Sequence, residues 1–187
     1  MHINIFVLLL FFASSVFAEG QREQQVSEDF HLTAYLGQQG VVSDIELFTK
    51  QSEKEVFLGV TCSSMSPFPL LQILLFNDEV LSETPKFLSV HYRIDGESIE
   101  HKPALQGILK VVDSVDEFSN KVRLELESGK IRSMNVMNEG YRTLLNDLKR
   151  GKQVAFTLNS RAFGTKQYVF SLKGLKALIE PYESVCR

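Results

Sequence analysis

Few side chains in this sequence have the type and spacing to do chemistry, and the best of them lie close together. His91, Arg93 and Asp95 alternate with Val90, Tyr92 and Ile94, so a strand there puts the three on one face. An imidazole beside a carboxylate can move a proton, which makes His91 and Asp95 the candidate pair of a small hydrolase. The simpler reading is a solvated polar face opposite Val90 and Tyr92. Glu125 and Glu127 also share a strand face, but Lys121 and Arg123 lie on the same side, the pattern of a charge-paired exterior rather than a carboxylate dyad. His31, His91 and His101 have no ligand-like spacing to one another or to a cysteine, so no metal or other cofactor is expected. Nucleophile-elbow, zincin, P-loop and dinucleotide-binding motifs are all missing. Phe68, in the Pro-stiffened stretch Met65-Ser-Pro-Phe-Pro69, is either a partner anchor or, more simply, a buried loop plug. Phe68, His91, Arg93 and Asp95 together are the candidate partner surface.

The ends of the chain bear on compartment. Ile3 to Phe12 is apolar apart from Asn4, small residues follow, and Val16-Phe17-Ala18 sets up a cut between Ala18 and Glu19. This is the layout of a cleaved secretory signal over residues 1–18, too short in its apolar core to span a bilayer. Two cysteines, Cys62 and Cys186, would survive cleavage. In an oxidising compartment an even count favours one structural disulfide, closing a loop of about 120 residues and contributing at most about 5 kcal/mol. The formal net charge of −3 argues against nucleic acid and against docking on anionic lipid. No later apolar run reaches membrane length, so no stable membrane insertion is expected after cleavage. The sequence leaves the oligomeric state open.

These residues need elements to position them, and the pattern supplies mostly strands. Residues 19–40 begin polar and Gln/Glu-rich and read as a flexible N-terminal leader. From 41 to 187 the chain reads as a single disulfide-closed, β-rich domain. Period-two alternation recurs at Val56–Cys62, Leu88–Ile94, Val122–Leu126, Val154–Leu158 and Tyr168–Leu172. Tyr141, Leu144, Leu145 and Leu148 form one helical stripe, with Lys149 and Arg150 in the last turn and Gly151 placed for a left-handed cap. A second helix is expected from about Gly174 to Ser184, shortened or kinked at Pro181. The expected fold is α+β and mainly β: an antiparallel, β-sandwich-like domain with two short helices, one at the C-terminus.

The last third carries a resemblance. A charged strand Asn120–Glu127 precedes Ser133-Met134, then an amphipathic helix ends in Leu148-Lys149-Arg150-Gly151-Lys152. Two strands follow, leading into Tyr168-Val169-Phe170-Ser171-Leu172-Lys173-Gly174-Leu175, a short helix and Cys186. Upstream, Leu58-Gly59-Val60-Thr61-Cys62 and Val90-His91-Tyr92-Arg93-Ile94-Asp95 match in order. Together these resemble the TagO/VasI-like periplasmic accessory proteins associated with type VI secretion, over roughly Val41 to Cys186. The resemblance implies a non-enzymatic periplasmic protein that acts by binding other envelope proteins, and it brings no catalytic residues. An inhibitor or immunity-type protein neutralising a toxin or hydrolase shares every feature above, as does secretion beyond the periplasm. The small periplasmic hydrolase using His91 and Asp95 is the third reading.

Overall fold

The computed structural model describes residues 21–79, 87–97, 104–114, 117–127 and 133–186. The signal segment, the Ala18–Glu19 cut and His101 lie outside them. Ten strands run in chain order: β1 (Arg22–Ser27), β2 (Phe30–Leu36), β3 (Val42–Lys50), β4 (Val56–Ser63), β5 (Leu70–Phe76), β6 (Phe87–Ile94), β7 (Leu105–Ser114), β8 (Glu117–Leu126), β9 (Gln153–Ser160) and β10 (Gly164–Ser171). Two helices, α1 (Met134–Arg150) and α2 (Leu175–Ile179), complete the fold.

All ten strands belong to one antiparallel sheet of order β1-β2-β3-β4-β5-β8-β7-β6-β9-β10, curled into a half-barrel. β1 to β5 form a meander. β6 does not pair with β5: β8 lies beside β5 instead, and β6 takes β9 after α1. The mainly β expectation holds, but the sandwich does not: among the described residues there is one continuous sheet. Alternation reports only that each strand has a wet and a dry face. A curled sheet closed by helices produces the same signal as two flat sheets.

The dry face is the concave one. Phe30, Leu32, Ile45, Leu47, Leu58, Val60, Leu71, Ile73, Tyr92, Val122, Phe156, Tyr168 and Phe170 are all buried there. Helix α1 adds Tyr141, Leu144, Leu145 and Leu148, the stripe expected from spacing. Ser133 caps it, its Oγ accepting from the Val136 N–H at 3.4 Å. Tyr92 donates to Asp147 Oδ2 at 3.0 Å, tying the helix to β6, and burial beside that carboxylate pushes the phenol pKa upward.

The supposed flexible leader is corrected by the structure. Residues 22–36 form the β1–β2 hairpin, because Phe30, Leu32 and Ala34 supply a dry face that completes the core. The Gln/Glu-rich half, β1, is exposed and borrows its order from pairing. Gly151 is extended (φ −76°) rather than left-handed, and it is small for a different reason: a Cβ there would sit 2.4 Å from Ile94 Cγ2. The second helix is short, as Pro181 implied. α2 ends at Ile179, and Pro181 falls in the first turn of the 3-10 segment Glu180–Tyr182, where its missing N–H costs nothing. Gly174 (φ 88°) starts α2 in the left-handed region, and a Cβ there would lie 1.9 Å from the Ser27 carbonyl oxygen.

Candidate functional site

Cys62 at the end of β4 and Cys186 beyond α2 are joined, their Cα atoms 5.0 Å apart across a sequence separation of 124. The bond fastens the chain beyond α2 to a central strand. Among the described residues no helix is long and apolar enough to cross a membrane.

Of the four residues of the candidate partner surface, His91 and Arg93 share a face, while Phe68 and Asp95 are engaged elsewhere. Phe68 is half-buried and stacks on Tyr141 of α1, ring centroids 5.0 Å apart, as a loop plug would. Just before it Met65 is 94% exposed, at the tip of a loop braced by bonds of the Ser63 and Ser66 hydroxyls to Met65 and Phe68. His91 lies exposed on the outer face of β6 with Nε2 3.5 Å from Ser89 Oγ. Arg93 is exposed on the same face. Asp95 turns away at the strand end. Its Oδ1 accepts from the Lys152 and Gln153 N–H groups at 3.0 and 2.9 Å, and Oδ2 from Lys152 at 3.1 Å. These bonds hold the start of β9 against the Asp95-Gly96 turn, where both residues have positive φ. With its carboxylate committed to backbone amides, Asp95 orients no proton on His91, and the hydrolase pair is not assembled. Glu125 pairs with Arg123, in line with the charge-paired exterior.

A different set of residues stands out on the convex face. Strand register places Val26, His31, Phe48, Gly59, Gln72, Arg123, Ile108 and Phe87 in one line across eight strands. One step toward the end of β3 a second line runs Lys50, Phe57, Leu74 and Lys121. His31 stacks on Phe48 at 4.9 Å and 7°. Phe48 meets Phe57 edge-on at 6.4 Å, and Phe57 meets Phe76 edge-on at 5.8 Å. The Lys50 ammonium sits 5.7 Å from the Phe57 ring centre. Four rings thus form a continuous band over β2–β5 on a face that water would ordinarily claim. Phe48 remains 40% exposed within it, and Val26 at its margin 64%.

Glycine shapes this band. Gly59 lies between Phe48 and Gln72 in the register, with the Gln72 side chain leaning over it, 3.3 Å from where a Cβ would be, and beside them a dent of about 410 Å³ is walled by Phe48, Phe57, Leu74 and Phe76. Glu46 and Lys121 stand at its rim. Tyr35 donates to Glu46 at 2.8 Å, and that hydrogen bond, with burial, raises the phenol pKa. At the Phe57 end the band opens into a larger cleft of about 1240 Å³ between the β1–β2 and β3–β4 turns and β10.

An ionic clasp closes the far side of this end. Glu79 accepts from Lys54 at 2.7 Å with Lys166 at 4.0 Å, and Lys54 lies 5.5 Å over the Tyr168 ring. Burial works to raise the Glu79 carboxyl pKa, but Lys54 and its neighbours outweigh it and hold the group below the usual glutamate range. The clasp ties the β3–β4 turn to β10.

The sequence reading passed over the band. A signal existed: Phe48, Phe57 and Phe76 each occupy the polar phase of their strand, opposite Leu47, Val56 and Leu75. What alternation could not supply was that the three phases meet, since pairing order and register are set by tertiary structure. No protein-family model, curated protein or solved structure matches this chain.

Proposed function

We propose that this chain is a non-enzymatic accessory protein of a bacterial envelope system, of the type VI secretion-associated kind that it resembles, working in the periplasm. It acts by docking a protein partner on the aromatic band of β2–β5. The observation that carries this reading is the band itself, four rings on the solvent side of an antiparallel sheet, three of them walling the dent beside Gly59. Exposed aromatic clusters with a central pocket are where protein interfaces concentrate their binding energy. Lys50, Glu46 and Lys121 form the polar rim that such a core needs.

The test is a capture experiment with oxidised Glu19–Arg187 in periplasmic extract, run beside Phe48→Ser and Gly59→Val, the latter pushing the Gln72 side chain off the floor of the dent. A secretion-apparatus or wall-remodelling protein retained by wild type and lost from both variants is expected. Equal retention by all three removes the band from the reading. The inhibitor alternative has its own support in the braced Met65 loop, whose tip is almost wholly in solvent. One tight stoichiometric toxin or hydrolase partner, released by Met65→Ala and not by Phe48→Ser, would select it.

A further inference from the structure

Beside the disulfide lies a pocket of about 430 Å³ with three walls from distant parts of the sequence. Residues 63–67, in the loop after β4, form the first wall. Asn138 and Arg142 of α1 form the second, and Ser184 and Val185, just before Cys186, form the third. Two fastenings hold these walls together. The Cys62–Cys186 bond joins the first to the third, and the stacking of Phe68 on Tyr141 joins the first to the second. Within the loop, the Ser64 N–H donates to Ser43 O at 2.8 Å and the Met65 N–H to Ser63 Oγ at 3.2 Å. Such bracing shapes the pocket before anything enters it, which lowers the ordering cost of binding. Small-molecule sites commonly measure about 300–1,000 Å³, and this one falls within that range.

The lining selects for negative charge. Among the described residues Arg142 is the one charged side chain in it, and no Asp or Glu joins it there. Arg142 is exposed and makes no ion pair or hydrogen bond with the described residues. Neighbouring acids in the chain do not compensate it. Asp44, beside Ser63 in the strand register, accepts from Ser43 Oγ at 2.6 Å, Glu183 pairs with Lys149 at 3.1 Å, and Glu139 lies outside the lining. The Ser64 hydroxyl and the Asn138 amide likewise have no side-chain partner among the described residues, so both stand ready to donate. A single guanidinium fork with two neutral donors matches a carboxylate in charge and geometry. An apolar lip adjoins it. Met65 is 94% exposed on the braced loop, and exposed Met134 lies one helical turn before Asn138. Methionine held in water beside a pocket is an adaptable contact for an apolar group, and buried Val185 offers another from the third wall.

We infer that this pocket binds a carboxylate joined to an apolar group: the Arg142 fork takes the carboxylate oxygens, Ser64 and Asn138 donate to them, and the apolar group lies against Met65 and Val185. The C-terminal end of a peptide and a free small acid share that chemistry. The pocket has no residue in common with the aromatic band or its dent, so each stands if the other fails.

The test is an amide NMR titration of the oxidised protein with acetyl-alanyl-leucine as the free acid, the same compound as its C-terminal amide, hexanoate, acetate and inorganic phosphate. Shifts should centre on Ser64, Met65, Asn138 and Arg142, with the free acid binding about tenfold or more tighter than the amide. Arg142→Gln should cost a similar factor, and Arg142→Lys should restore only part of it, because an ammonium has no fork. Met65→Ala should weaken the leucine acid and hexanoate about threefold while leaving acetate unchanged. Arg142 and Met65 are exposed, so these variants should melt with wild type, and Phe48→Ser should bind every probe as wild type does. Tighter binding of acetyl-alanyl-leucine than of hexanoate assigns the pocket to a peptide end, and the reverse order to a free acid; either supports it. Equal binding of acid and amide, or of Arg142→Gln and wild type, would overturn the proposal. So would phosphate binding as well as the apolar acids, shifts confined to other regions, or no binding of any probe at millimolar concentration.

Discussion

Across β2–β5 the inward residues Phe30, Ile45, Leu58 and Ile73 are shut away from solvent, while on the other side of the same four strands His31, Phe48, Phe57 and Phe76 form a band that water reaches. Both faces are rich in apolar side chains, so hydrophobicity alone does not tell them apart. The difference is what covers them. Inward residues are packed by α1, α2 and the far strands, and their burial stabilises the fold. Outward rings touch mainly one another, and a pair of such rings contributes about 1 kcal/mol or less beyond its area. The inner face is where this protein keeps its stability, while the outer rings stay within reach of water.

That contrast can be broken by substitution. The largest effect is expected from Phe156→Ala, which removes a fully buried ring between Tyr92 and Phe170 and should cost about 4 kcal/mol in chemical denaturation. A cost below about 1 kcal/mol would mean the inner face is not the source of stability. Next is Cys186→Ser, which frees the stapled C-terminus and should cost about 3 kcal/mol, lowering the melting temperature by about 10 °C. Reduced wild type should melt with the variant, and a melting curve matching oxidised wild type would sink the stapled-core picture.

Smaller effects sharpen the boundary between the faces. The Glu79 clasp has a depressed carboxyl pKa, so its contribution is present above the ordinary glutamate value and is lost as pH falls through the folded value. Glu79→Gln should therefore lower stability at neutral pH by about 1 kcal/mol or less, with the gap to wild type closing on acidification. A gap that widens instead would reverse the assigned sign. Last comes Phe48→Ser, expected to change stability by no more than about 0.5 kcal/mol while abolishing partner capture. A loss of several kcal/mol would show that the band is a second core rather than an interface.

Much of the inner face was legible beforehand because burial imposes a period. Val56–Cys62, Leu88–Ile94 and Tyr168–Leu172 alternate because one side of each strand must be dry, and the α1 stripe recurs at helical spacing for the same reason. The β1–β2 hairpin was missed because Arg22–Ser27 has no dry face of its own. Gly151 was misread because its smallness answers to Ile94, far away in sequence, and not to the local turn. In the candidate surface of Phe68, His91, Arg93 and Asp95, His91 and Arg93 share a face, but two residues answer to distant contacts. Phe68 belongs to α1 through Tyr141, and Asp95 belongs to β9 through two backbone amides.

What the sequence determined by itself was local: strand phases, the α1 stripe, the break at Pro181 and an even pair of cysteines, each written in residue type and near-neighbour spacing. Only the tertiary structure decided that ten strands make one curled sheet, that three out-of-phase phenylalanines join His31 in one band across β2–β5, and that β10 stands at an end of the sheet order. Those outcomes depend on which strands pair and in what register, and these are set by contacts between residues far apart in the chain, which no local period records.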